Sequence, residues 1–80
     1  MSFPLDNEQV QILTMILNGD SVKETLRTLN KTPQVFADSL NDVLFEEIGD
    51  IVVECNGNDI VLIEDYREDI ERIIGGKWRN

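Results

Sequence analysis

Up to Gly49 the apolar side chains of this chain recur at intervals of three and four, and just beyond it they crowd into short β-branched runs. That change of period, from about 3.6 to about 2, divides a helical first part from a strand-forming stretch. The helical part subdivides at its capping residues. Asp6 followed by Gln9 has the spacing of a capping box, and Val10, Leu13, Ile16 and Leu17 then recur until Gly19, which predicts a first helix over residues 7–18. Ser21 and Glu24 repeat the pattern, so a short second helix is expected to carry Val22, Leu26 and Leu29 and to close at Asn30. Thr32 before Pro33 predicts the start of a third helix, with Phe36, Leu40, Val43, Leu44 and Ile48 on its inner face and Gly49 at its end.

Beyond Gly49, Ile51-Val52-Val53 and Ile60-Val61-Leu62-Ile63 flank Asn56-Gly57-Asn58-Asp59, whose residues tolerate the positive φ of a tight reversal. These are the expected strands and turn of a hairpin. An isolated hairpin is barely stable in water, so one face is expected to lie on the third helix. Asp65 and Glu68 predict a further capping pair, and Tyr66, Ile70, Ile73 and Ile74 mark a last helix ending at Gly75-Gly76. The expectation is therefore a single α+β domain over residues 1–80, with its core at 5–74 and a tail at 75–80 in which Trp78 either frays or straps onto the core. Three helices, a two-stranded antiparallel hairpin and a C-terminal helix follow the order of a winged helix-turn-helix.

Charge then narrows what such a domain can do. The 80 residues contain 7 Lys+Arg against 16 Asp+Glu, a formal net charge of -9. Helix three has no Lys or Arg between Pro33 and Ile48, and the hairpin adds Asp50, Glu54 and Asp59 without a cation. Nucleic-acid binding depends on neutralising phosphates, so both surfaces a winged helix would use carry the wrong sign. An anionic membrane is disfavoured in the same way, and no apolar run approaches the ~18–20 residues that span a bilayer. With no histidine and one cysteine, Cys55, the chain can build neither a Ser-His or Cys-His nucleophile nor a Cys/His zinc site. No enzyme activity, cofactor or metal is expected, and the lone cysteine points to the cytoplasm.

The remaining reading is an interaction module for a protein partner, one bearing a basic patch, or for other domains of its parent chain. Asp38, Asp42 and Glu46, at i, i+4 and i+8, form a negative stripe opposite the core face and are the candidate interaction residues. Lys23, Arg27 and Lys31, with the same spacing on helix two, are a secondary candidate patch. Either stripe is also what a solvated helix face looks like. A nucleic-acid-binding winged helix and a cation-binding regulatory domain using Glu64, Asp65, Glu68 and Asp69 are the alternatives, although carboxylates in a first turn also offset the helix dipole.

The run Leu29–Asp50, with Ser39 and Asn41 as a Ser-x-Asn pair and Gly49-Asp50 at its end, then Ile51–Glu54 and Ile63–Ile70, resembles the C-terminal domain (TerB-C) of TerB-type tellurite-resistance proteins. The likeness spans about residues 5–74. It implies a noncatalytic module of bacterial stress-response systems, usually placed after larger N-terminal regions, so this chain is expected to be the C-terminal module of a larger protein. No functional residue transfers with it. Asn41, in the middle of the third helix, is placed to bond the hairpin backbone and hold the wing.

Overall fold

The computed structural model describes residues 5–78, and side chains through residue 75. Helix α1 (Asn7–Leu17) begins as its cap residues require: the Gln9 amide donates to Asp6 Oδ1 at 2.8 Å and the Asp6 amide to Gln9 Oε1 at 3.0 Å. Leu5 and Val10, at the positions of a hydrophobic staple, are both buried in the core. At the other end the Gly19 and Asp20 amides donate to the Ile16 and Met15 carbonyls, a Schellman closure.

Helix α2 (Lys23–Thr28) starts differently from the expectation. Its cap position is Val22, which has no side chain for the purpose, and Glu24 pairs with Arg27 instead of reaching back to Ser21. The Val22 amide is satisfied by Asp59 Oδ1 at 2.9 Å, from a residue 37 positions away in the hairpin. Ser21 Oγ accepts the Lys23 amide at 3.3 Å. A capping box places its reciprocal bonds across one turn, and here the helix begins a residue late for that geometry. Asn30 does close the segment, at φ 64°, with the Asn30 and Lys31 amides bonded to Arg27 and Leu26.

Helix α3 (Pro33–Ile48) has Thr32 as its cap, accepting the Val35 amide at 3.3 Å, and Pro33 in the first turn, where its missing N–H costs nothing. Phe36, Ala37, Leu40 and Leu44 are buried along one side, and Val43 and Ile48 pack at its margins. The chain leaves the helix through Gly49 at φ 85°, a conformation that a Cβ would strain. Strands β1 (Val53–Asn56) and β2 (Asp59–Leu62) pair antiparallel, Val53 opposite Leu62 and Cys55 opposite Ile60. Those four side chains share the face turned to the core, and Cys55 is half-buried there. The turn is the two-residue Gly57-Asn58, and only Gly57 takes positive φ, the type II′ pattern that suits a twisted hairpin.

Several boundaries differ from the sequence reading. Ile51 and Val52 lie before the strand rather than in it, because the Val52 and Val53 amides donate to Asn41 Oδ1 at 2.9 and 3.1 Å while Asn41 Nδ2 donates to the Val53 carbonyl at 3.0 Å. The last helix is preceded by a 3-10 turn over Glu64–Tyr66, so Asp65 stands inside a helical turn and caps nothing. Helix α4 (Arg67–Trp78) continues through Gly75 and Gly76. Glycine weakens a helix by about 1 kcal/mol but ends one only where the chain turns left-handed, and Gly75 does not. The expected tail thus begins as the last turn of α4; the Trp78 side chain, Arg79, Asn80 and residues 1–4 lie outside the described set.

The α+β architecture follows from one core. Ile12 and Leu13 of α1, Leu26 of α2, Leu40 and Leu44 of α3, Val52 and Val53 at the hairpin entry and Ile70 of α4 are all buried from solvent. Around that core, polar side chains tie α3 on both flanks. Residues two apart on a helix point about 200° apart, and the Ser-x-Asn pair uses this: Ser39 Oγ accepts from Gln9 of α1 at 3.2 Å, while Asn41 holds the hairpin. Arg67 fastens α4 to α1, donating to the Leu17 carbonyl at 2.9 Å and, through two nitrogens, to Glu64 at 2.9 Å. This places a cation on the negative end of α1.

Candidate interaction surface

The outward side of α3 carries Asp38, Asp42 and Glu46, all exposed, as helical spacing dictates for residues opposite Leu40 and Leu44. Asp38 accepts a hydrogen bond from Gln34 Nε2 at 3.0 Å. Among the described residues none of the three carboxylates takes part in a salt bridge. Asp38 and Asp42 rim an open groove of about 380 Å³, completed by Asn41, Phe45 and Ile51. Glu46 lies one turn beyond Asp42 and does not line it.

The apolar members are the unexpected ones. Phe45 is 55% exposed and Ile51 52%, two of the three large hydrophobic side chains left in water among the described residues, the third being Val35. The sequence carried a partial signal for Phe45. Leu44 and Phe45 are adjacent, about 100° apart on a helix, and Leu44 belongs to the Phe36-Leu40-Leu44-Ile48 row while Phe45 continues the row of Asp38 and Asp42. Ile51 carried no such signal, because its place depends on where the hairpin pairing begins.

The segment bearing Ile51 is held from both sides. Asn41 fixes Val52 and Val53, and the Asp50 carboxylate accepts the Ile51 amide at 2.8 Å and a hydrogen bond from the Tyr66 hydroxyl in the 3-10 turn before α4. The Tyr66 hydroxyl, then the Ile51 amide, hold the Asp50 carboxyl below its usual range, and the same bond pushes the Tyr66 hydroxyl up. The groove therefore stands between a long helix and a tethered turn, not on a free loop.

Lys23, Arg27 and Lys31 are exposed and surround a smaller groove of about 200 Å³ that reaches Thr32, Pro33 and Asn58 at the hairpin tip. Arg27 is 3.6 Å from Glu24. A third cleft, of about 320 Å³, lies where the end of α1 meets β2 and Arg67. Three of its ionic groups, Asp59, Glu64 and Arg67, already serve the fold. Burial works to raise the Asp59 carboxyl, but hydrogen bonds from Ser21, Val22 and Ile60 and the nearby Lys23 charge outweigh it and leave it below the usual range. In the acidic 3-10 turn and the start of α4, Glu64 is paired with Arg67 and Asp69 with Arg72. Among the described residues no three His, Cys, Asp or Glu side chains are grouped to hold a metal ion, and no helix is long and apolar enough to cross a membrane.

An acidic α+β domain of helices and one hairpin, with an Asn-anchored wing beside an exposed aromatic, is the class defined by these elements. The profile of the TerB-C domain matches residues 2–71, and the chain belongs to that family. Neither a curated protein nor a solved structure gives a significant match.

Proposed function

We propose that this domain is a noncatalytic protein-interaction module of a TerB-type stress-response protein in the cytoplasm, working as a C-terminal module through the outward face of α3. The observation that carries the reading is the pairing of Phe45 and Ile51, each more than half exposed, with the carboxylates of Asp38 and Asp42. Aromatic side chains left in water on a rigid scaffold and rimmed by charge are the usual makings of an interface centre. The tellurite connection rests on the family name, and the partner is another protein or another part of the parent chain.

Nothing in this role needs bond chemistry, since the face offers shape, apolar area and negative charge. The α3 carboxylates also work against the nucleic-acid reading by repelling phosphate. The test is recovery of partners from lysate of the source organism by the native domain and by Asp38→Lys/Asp42→Lys/Glu46→Lys, followed by rebinding of the purified partner. A partner that rebinds the native domain and fails to rebind the folded triple variant supports the reading. Equal recovery of the same proteins by both sinks it.

A further inference from the structure

We infer that the α3 groove takes a protein segment in which an apolar anchor side chain is flanked by Lys or Arg, the anchor seating between Phe45 and Ile51 and the cations meeting Asp38 and Asp42; this rests on the interaction-module reading above. The groove has two apolar walls from different elements, Phe45 of α3 and Ile51 of the hairpin entry. Among the described residues no side chain covers them, since Phe45 is 55% and Ile51 52% exposed. On the rim, Asp38 and Asp42 stand one helical turn apart, which brings their Cβ atoms to about 5–6 Å. Both are exposed, and among the described residues neither is in a salt bridge. Glu46 extends the negative field by another turn, and α3 contains no cation to offset it.

Charge selects among occupants. A net charge of -9 steers cationic partners in and slows anionic ones. A second copy meeting face to face would set Asp38, Asp42 and Glu46 against themselves, since a two-fold contact is self-complementary. A head-to-tail copy would have to offer the Lys23–Arg27–Lys31 patch, where Leu26 is buried at 1% exposure and supplies no anchor. The apolar walls in turn exclude a purely basic tract, which would leave Phe45 and Ile51 wet.

The experiment is a selection of random phage-displayed peptides on the native domain, with counter-selection on Phe45→Ser. The consensus peptide is then titrated against native domain, Phe45→Ala, Ile51→Ser and Asp38→Asn/Asp42→Asn at low and raised salt, with amide shifts mapped by NMR. The expected peptides carry Lys or Arg around an apolar residue and shift the amides of Asp38, Asp42, Phe45 and Ile51. Their affinity falls about tenfold or more on Phe45→Ala, and about threefold to tenfold on the Asn pair or at raised salt. Ile51→Ser guards against a fold defect specific to position 45, and unchanged thermal melts check each variant.

Binding that needs Phe45 but ignores the Asn pair and salt overturns the cationic occupant and leaves an interaction face standing. Peptides that are acidic, or that shift only Lys23–Lys31, overturn it too. Sedimentation showing a dimer that Phe45→Ala dissolves assigns the groove to a second copy and overturns it. If no enriched peptide depends on either Phe45 or the carboxylates, the interaction-module reading falls with it.

Discussion

Leu44 and Phe45 are neighbours in sequence on one helix, yet Leu44 is 0% and Phe45 55% exposed. The same contrast separates the polar residues of α3: Asn41 and Ser39 are spent on the hairpin and on α1, whereas Asp38 and Asp42 are left to solvent. One helix thus has a side that the fold consumes and a side that it leaves unused. The difference teaches that exposure alone does not mark a site here. What sets the outward side apart is an aromatic that burial would have rewarded and that the packing nonetheless leaves out.

The largest expected effect sharpens that contrast directly. Leu44→Ala should lose about 2–5 kcal/mol in chemical denaturation, a large share of the stability of so small a domain. Phe45→Ala, one residue on, should change it by no more than about 0.5 kcal/mol. Equal losses at the two positions would show that the two sides of α3 are not distinct.

Asn41→Ala comes next. It strips partners from two amides and a carbonyl at Val52 and Val53, both buried, and should cost about 2–3 kcal/mol. Faster hydrogen exchange at those two amides identifies the cause, and an unchanged exchange rate would remove Asn41 from its anchoring role. Asp59→Ala, which uncaps α2 from a distance, should cost about 0.5–2 kcal/mol at neutral pH.

The Asp59 effect carries a pH signature. Its carboxyl lies lower in the folded protein than its ordinary 3.8, so the ionised form stabilises the fold. That contribution is fully present above pH 3.8 and is lost as the pH falls through the lowered folded value. The melting-temperature gap between native protein and Asp59→Ala should hold from neutral pH to about 4 and close below it. The smallest effect belongs to the outward side. Asp38→Asn/Asp42→Asn should alter stability by less than about 0.5 kcal/mol, in the stabilising direction, since like charges one turn apart repel.

Much of this architecture could be read before any coordinates. The caps at Asp6-Gln9 and Thr32-Pro33 stand where expected, α3 has the expected bounds, and the hairpin turns within Asn56–Asp59. The membership in the TerB-C family was legible in the Leu29–Asp50 run and is matched over residues 2–71. The misses at the start of α2 and at the hairpin entry share a cause, a bond from a residue distant in sequence. Ser21 and Glu24 have a capping spacing, but the bond that the α2 start makes comes from Asp59; Asp65 and Glu68 have it too, but a 3-10 turn takes the place of the cap. The strand begins late because a side chain of α3 occupies its first amides.

The sequence by itself determined the elements whose signals lie within a single turn or strand: helix starts, apolar rows, the tight reversal, the placing of acidic charge on α3. Such signals are local because a cap or a period involves residues three or four apart. Tertiary structure decided which amides Asn41 and Asp59 satisfy, and that Phe45 and Ile51, six residues and one left-handed turn apart, open onto the same groove. Those outcomes depend on how α3 and the hairpin pack. Packing is set by the whole core at once, and no segment of the chain contains it.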